Sequence, residues 1–330
     1  MKQALLRVMR ASGLFATFRR ANQHRILVLT YHRFSEQPKS GFTDERTFAE
    51  QLEYLREHYA IVPLSAVERH LIDGEPLPNA PAAITIDDGY HDAYDIAFPI
   101  LRRYGAPATL FAATDFIDRN GWIWTDKLRY VAAQRKRPAS ILDASRANAE
   151  LKRLPNDEKD RRIAAIAKDA GVTLPVLPPA DCRAATWDQI REMAGGGIEI
   201  GSHTVTHPIL THLSSKPLED ELRNSRNRLE QELDREIALF CYPNGDYNVR
   251  VRDGVARAGY RVAVTTECGL NNRASDPLAL QRVHTDHDIT HFIQSTSGFE
   301  QFKNGFRTAS APLWFRLEAT ADDRRRELPR

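Results

Sequence analysis

Two adjacent carboxylates close the stretch Ala83-Ile84-Thr85-Ile86-Asp87-Asp88-Gly89-Tyr90. Ile84, Thr85 and Ile86 favour a buried strand, and Gly89 permits a sharp turn directly after the acids. Consecutive residues leave a strand in different directions, so one carboxylate can bind a cation while its neighbour handles a proton. Taken alone, the same residues also read as an Asp-Gly turn preceded by a solvated aspartate. A second stretch repeats the pattern: the strand Ile198-Glu199-Ile200 ends at Gly201, and His203 and His207 follow. A spacing of four puts both imidazoles on one face of a helical turn, and a tight loop converges them as well. Two neutral imidazoles and one of the two aspartates form a ligand set suited to an open, catalytic Zn²⁺ site. An isolated His-x-x-x-His stopped by Pro208 reads as surface histidines. The joint occurrence of both stretches, each at a strand end, favours the metal-site reading.

The elements that must position these groups alternate between strand and helix. Ile26 to Tyr31 is a buried-strand pattern ended by His32, which either faces the same pocket or is a hydrogen-bonded core histidine. Phe48, Leu52, Leu55 and Tyr59 recur at helical spacing. Ser65-x-x-Glu68 reads as a capping box for a short helix closed by Gly74. After the Asp87 strand, a helix over Ala93 to Tyr104 is interrupted at Pro99 and ends at Gly105. Thr109 to Thr114 is the next strand. Residues 118–180, led by Trp122 and Trp124, read as a helical insertion, with helical spacing at Leu151, Leu154, Ile163 and Ile166. Thr186-x-x-Gln189 is a second capping box. Ser214 or Ser215 caps a long helix carrying Leu218, Leu222, Leu229 and Leu233. Strands at Ala238–Phe240, Tyr260–Thr265 and Leu280–His284 follow, the first running into Cys241-Tyr242-Pro243-Asn244-Gly245. No glycine-rich phosphate loop follows any strand. This alternation predicts a parallel α/β fold, and site residues at strand ends match the catalytic face of a barrel. Periodicity alone does not separate a barrel from a doubly wound sheet.

The two stretches resemble the signature motifs of the polysaccharide deacetylase family of metal-dependent carbohydrate esterases. Thr85 to Gly89 is similar to its first motif and His203 to His207 to its second. Tyr242 to Gly245 resembles the tail of its third, and with Leu29-Thr30-Tyr31-His32 the resemblance spans residues 26–290. It implies a distorted (β/α) barrel of about seven strand-helix units. It further implies that Asp88, His203 and His207 hold Zn²⁺ or another divalent metal ion while Asp87 takes a proton from the attacking water. A histidine of the last motif would protonate the leaving amine; His284 is the nearest match, with His287 and His291 as competitors. A backbone N–H in the Tyr242–Gly245 loop would help stabilise the oxyanion, which makes His32, Tyr242 and Asn244 candidate substrate-binding or oxyanion residues. One departure stands out. Many members pair the base aspartate with an arginine of the third motif, and here that position is Cys241, so another cation, with Arg282 the candidate, would have to take its place.

The implied reaction is hydrolysis of N-acetyl groups from a sugar in a polysaccharide, oligosaccharide or glycolipid. Three other readings compete: a non-catalytic glycan-binding relative, a glycosidase using Asp87 or Asp88 with a distant carboxylate, and a membrane-associated assembly protein of polysaccharide synthesis. The glycosidase would leave the histidine pair without a purpose.

Composition narrows the classes further. Over 330 residues, 46 Lys and Arg against 44 Asp and Glu give a net charge of +2, which offers no reason to expect a nucleic acid partner. Cys182, Cys241 and Cys268 are too few and scattered for a disulfide framework or a cysteine zinc site. Residues 1–22 form a basic amphipathic segment in which Leu5, Leu6, Val8, Leu14, Phe15 and Phe18 alternate with Lys2, Arg7, Arg10, Arg19 and Arg20. Arginines interrupt any signal-peptide core. The segment reads either as a helix docked on the domain or as a peripheral membrane contact through residues 1–20, and the expected location is the cytoplasm or the cytoplasmic membrane face. Residues 23–310 form the expected barrel domain and 311–330 a charged tail.

Overall fold

The computed structural model describes residues 2–134 and 144–302; the expected tail over 311–330 lies outside them. Seven parallel strands form the centre: β1 (Leu27–Tyr31), β2 (Pro81–Ile86), β3 (Ala108–Ala112), β4 (Ile198–Ser202), β5 (Leu239–Cys241), β6 (Val262–Cys268) and β7 (Leu280–His284). Each pairs with the next in sequence, and β1 pairs with both β2 and β7, which closes the barrel. The register between β1 and β2 runs from Leu27↔Ala82 to Tyr31↔Ile86. A short strand, Ala60–Ile61, pairs with the start of β2 on the edge away from β1. β1, β2 and β3 are buried along their whole length, as expected where helices cover the outside and side chains fill the inside. This is why they read as unbroken apolar runs rather than alternating ones.

The helices follow from their apolar stripes. Asp44 caps the helix Glu45–His58 by accepting from the Thr47 N–H, and Phe48, Leu52 and Leu55 are buried against the barrel, each such side chain contributing about 1.5–3 kcal/mol. Thr186 and Gln189 form the expected capping box of Trp187–Gly195. Two expected caps differ. The helix Leu64–Ile72 starts two residues early, with Pro63 at its N-cap; Glu199 accepts from the Ser65 N–H and Glu68 pairs instead with Arg261. Ser214 precedes Ser215–Leu233 without a side-chain cap. Pro99, which lacks an N–H, is accommodated by a turn of π-helix, Ala93–Ala97, before the α-helix Phe98–Tyr104.

Three helices of the insertion, Trp124–Gln134, Ala144–Arg153 and Asn156–Asp169, enclose a small core of their own around Leu128, Val131, Leu151 and Ile163. Asn156 ties it to the barrel by accepting from the Ile209 N–H at 3.1 Å. At the N-terminus, the helices Lys2–Ala11 and Leu14–Ala21 meet at Gly13 and dock through Leu6 and Phe15 against Ile293. Arg10 and Arg19 bond to Thr290 and Tyr54. Leu5 and Val8 face outward. Among the described residues no helix is long and apolar enough to cross a membrane.

Candidate active site

The ladders of β1 to β4 run one hydrogen bond past the strand ends. The Asp87 N–H donates to the Tyr31 carbonyl at 2.9 Å, and the His203 N–H to the Ala112 carbonyl at 2.9 Å. The groups that follow each strand are therefore as fixed as the strands themselves. Asp88 then turns into the left-handed region at φ 78°, and Thr204 and His207 do so at φ 70° and 55°. Such conformations are costly for residues with a Cβ and persist only where surroundings over-determine them. Here the Ala113 N–H donates to the Asp88 carbonyl and the Thr114 N–H to the Thr204 carbonyl. From the Ser215–Leu233 helix, Glu221 accepts from the Val205 and Thr206 N–H groups at 2.8 and 3.0 Å. Of the two geometries open to His-x-x-x-His, the chain adopts the tight loop.

This backbone brings Asp88, His203 and His207 together, with one potential ligand atom of each within 4.8 Å of the others. His203 Nε2 lies 3.3 Å and His207 Nε2 3.4 Å from Asp88 Oδ1. Ligands bound at about 2.0–2.1 Å in a tetrahedral arrangement stand roughly 3.3 Å apart, so the spacing fits a shared cation. The protonation pattern fits too. His203 Nδ1 lies 2.7 Å from the Cys241 carbonyl, a bond that places the proton on Nδ1 and leaves Nε2 free to ligate. Burial, and then the neighbouring His203 ring, hold His207 at a pKa of about 4, so it is the neutral imidazole a ligand must be. Burial works against ionising Asp88, but the His203 bond and the His207 imidazole override it and hold the carboxyl well below its usual range. Asp87, His203 and Cys241 are also mutually close; a cation there would face the Arg282 guanidinium already bound to Asp87.

That guanidinium resolves the departure in the third motif. Arg282, fully buried on β7, grips Asp87 with a two-pronged contact, Nη1 to Oδ1 and Nη2 to Oδ2, both at 2.7 Å. Its Nε donates to the Thr265 carbonyl and Nη1 also to Thr85 Oγ1. Cys241 Sγ sits 3.4 Å from Nη2 and 3.5 Å from Asp87 Oδ2, so the thiol occupies space beside the ion pair. Burial would raise the Asp87 pKa, yet Arg282 and then His32 bring it down to about 2.

The remaining expected site residues separate into three groups. His32 faces the pocket, its Nε2 3.5 Å from Asp87 Oδ2 and its side chain partly open to solvent. His284 stands exposed at the end of β7 with Nε2 3.3 Å from the Thr266 carbonyl. Desolvation at the rim and nearby Arg282 hold its pKa below the ordinary imidazole value. Its competitors lie beyond: His287 is exposed, and His291 lies 3.7 Å from Asp288. Asn244 takes a left-handed conformation at φ 58°, its carbonyl accepts from Thr266, and its buried Nδ2 has no partner. Tyr242 does not belong to the set. Its hydroxyl donates to the Leu278 carbonyl at 2.9 Å and its backbone N–H to the Val264 carbonyl. The ring is buried between Phe240 and Tyr247. It aligns the loop from below and offers nothing to a substrate. Glu221 carried no sequence signal, since it lies on a long helix that reads as simply amphipathic.

Known proteins are similar to this chain to different extents. The profile of the family described as Polysaccharide deacetylase matches residues 74–263. The protein YxkH of Bacillus subtilis (strain 168), itself named for this family, is 24% identical over 258 residues, covering 78% of this chain and 70% of its own. The poly-beta-1,6-N-acetyl-D-glucosamine N-deacetylase of Escherichia coli (strain K12) is 30% identical over 96 residues, 28% of this chain and 14% of that protein. Among solved structures, the Streptococcus pyogenes deacetylase PplD superposes with a TM-score of 0.60 at 22% identity, covering 83% of this chain and 98% of its own. IcaB from Ammonifex degensii gives 0.59 at 19%, covering 83% and 97%. These two bear on the fold alone. With more than half of its length inside the family profile, the chain belongs to the polysaccharide deacetylases, hydrolases that split the amide bond of N-acetyl groups.

Proposed function

We propose that this protein is a metal-dependent deacetylase of an N-acetylated glycan, with Asp88, His203 and His207 as ligands and Asp87 as the base. The observation that carries the reading is the convergence of those three ligands beside an aspartate that Arg282 keeps ionised. The donor set, two imidazoles and a carboxylate, suits zinc, and such an ion supplies Lewis acidity toward the acetyl carbonyl and acidifies the attacking water. Asp87 accepts that water's proton. Both of its oxygens are bonded to Arg282 at 2.7 Å, but a carboxylate has about four lone-pair sites, so acceptor capacity remains. A carboxylate with a pKa near 2 is a weak base, always ionised at neutral pH, and its advantage is readiness rather than strength. His32, at 3.5 Å from the same carboxylate, is placed to orient the water or the acetyl group. His284, at the rim, is the donor to the departing amine; its lowered pKa makes the protonated ring a stronger acid while reducing the fraction protonated at neutral pH. The Asn244 Nδ2, which has no partner, would donate to the substrate.

The test is release of acetate from N-acetylated oligosaccharides, including β-1,6-linked N-acetylglucosamine, with and without a chelator. Activity should vanish on chelation and return with zinc. Asp87→Asn should keep the metal by elemental analysis and lose about 10²- to 10⁴-fold in turnover, the usual cost of a missing general base. Acetate release untouched by chelation and by Asp87→Asn would sink the reading.

A further inference from the structure

A second buried charge cluster lies beside the site, and none of its members takes part in the chemistry above. Arg33, adjacent to His32, is 4% exposed. Its Nε donates to Asp92 Oδ2 at 2.9 Å, an Nη donates to the Asp181 carbonyl, and Nη1 lies 3.7 Å from Asp126 Oδ1. The guanidinium carbon lies over two rings, 3.8 Å from the centroid of Tyr90 and 4.4 Å from that of Phe42. Tyr90, two residues after Asp88, is itself buried and donates its hydroxyl to Asp126 Oδ2 at 2.5 Å. Arg129 bonds to the other oxygen of Asp126 at 2.9 Å. Asp126 is 1% exposed and belongs to the first helix of the insertion. The backbone around Tyr90 is pinned as well, since Gly89 accepts from the Ala185 N–H and His91 donates to the Arg183 carbonyl.

One guanidinium thus joins four segments: the loop after β1, the loop after β2, the insertion, and the stretch that leads toward β4. Two of these carry site residues. A buried ion cluster is weak support for stability, because desolvation offsets most of its attraction. What it does well is define geometry, and Asp88 has an unusual geometry to be defined, a left-handed turn at φ 78° that would relax if its neighbours were free. We propose that Arg33, Tyr90 and Asp126 are positioning residues that hold Asp88 in its ligating conformation, which makes the insertion a structural part of the metal site. The proposal rests on the reading of Asp88 as a metal ligand. It requires arginine at position 33, since a lysine has neither the flat face that stacks on Tyr90 nor the fork that reaches Asp92 and Asp181 together.

The experiment measures zinc affinity directly, by competition with a chromophoric chelator, for wild type, Tyr90→Phe, Asp126→Asn, the double variant and Arg33→Lys. Urea unfolding of each apo protein reports whether it is folded. Tyr90→Phe removes a single hydroxyl and is the variant expected to fold in every case. Each single change should weaken zinc binding about 10- to 100-fold, the usual effect of removing an outer-shell partner. The Tyr90→Phe/Asp126→Asn pair should lose no more than the worse single variant, because both act through one hydrogen bond. A merely structural contact would lower the urea midpoint and leave the zinc affinity of the folded protein at the wild-type value; that result, or additive losses in the pair, overturns the proposal. Wild-type affinity in Arg33→Lys removes the guanidinium from it. If wild type itself fails to bind zinc, the ligand assignment falls and takes this proposal with it. If wild type binds and the variants match it, only the positioning role falls.

Discussion

Replacing Arg282 by methionine isolates the electrostatic arrangement at the base. In the metal-free protein the Asp87 carboxyl has a pKa of about 2 against an unfolded value of about 3.9. A depressed pKa contributes stability that is present above the unfolded value and lost as the pH falls through the folded one. The difference amounts to about 2.6 kcal/mol at neutral pH. Arg282→Met removes the guanidinium but keeps the burial, whose effect on Asp87 is in the opposite direction. The carboxyl then titrates above its ordinary range, and the sign reverses: stability is present at low pH and lost as the pH rises through the new value. At pH 7 the variant holds a buried carboxylate stripped of its main partner, a defect that costs about 3–5 kcal/mol. Loss of the bonds to Thr85 and Thr265 adds a part that does not vary with pH. Urea unfolding in the presence of chelator, at pH 7 and pH 4, separates the two. The gap between wild type and variant should narrow toward pH 4, where the variant's Asp87 has taken up its proton and the wild type's has not. An equal gap at both pH values would refute the reasoning, because the Arg282 contribution would then be packing and not charge.

Three further outcomes follow from the same geometry. His203→Ala should abolish stoichiometric zinc in elemental analysis while far-ultraviolet circular dichroism stays that of the folded barrel. Tyr242→Phe deletes the bond to the Leu278 carbonyl and should cost about 1–2 kcal/mol in urea unfolding with turnover unchanged; a fall in turnover at full stability would return Tyr242 to the substrate-binding set. Cys241→Arg should not tune the base. The thiol is fully buried and Arg282 already fills the space beside Asp87, so thermal unfolding should show a loss of at least about 1–3 kcal/mol from overpacking.

Much of this arrangement was legible because each proposed ligand follows closely on a strand, where a local pattern is easiest to read. Asp87-Asp88-Gly89 and His203 to His207 could be read as site residues from a dozen positions. Closure of the barrel could not, because it depends on β1 pairing with β7, whose partners Leu29 and Val283 are joined by no local signal. Arg282 was legible only as the answer to a missing arginine. Its role depends on the direction of a side chain from β7, which comes five strands later in sequence and stands two strands away around the ring. Tyr242 shows a related limit: it sits in a motif, but a strand end sends alternate side chains to opposite sides, so Cys241 turns toward Asp87 and Arg282 while Tyr242 packs with Phe240 between strand and helices. The Arg33 cluster had no signal at all. Its members, Arg33, Tyr90, Asp126 and Asp181, come from four segments and share no spacing that a sequence pattern registers.

The pairing of β1 with both β2 and β7 also dictates an order of events during synthesis. Asp87 emerges early, just after β2, while the guanidinium that holds it ionised arrives on the last strand. Until residue 284 has left the ribosome, β1 presents an unpaired edge in which no backbone group on that side has a partner, the arrangement that invites pairing with another chain. The N-terminal helices end immediately before β1, and their anchoring surface, Ile293 with Ile289, is made later still. A nascent chain stalled after β6 therefore carries Asp87, Asp88, His203 and His207 but no closed barrel to hold them, so the proposed site and a sealed sheet are completed together, when β7 arrives.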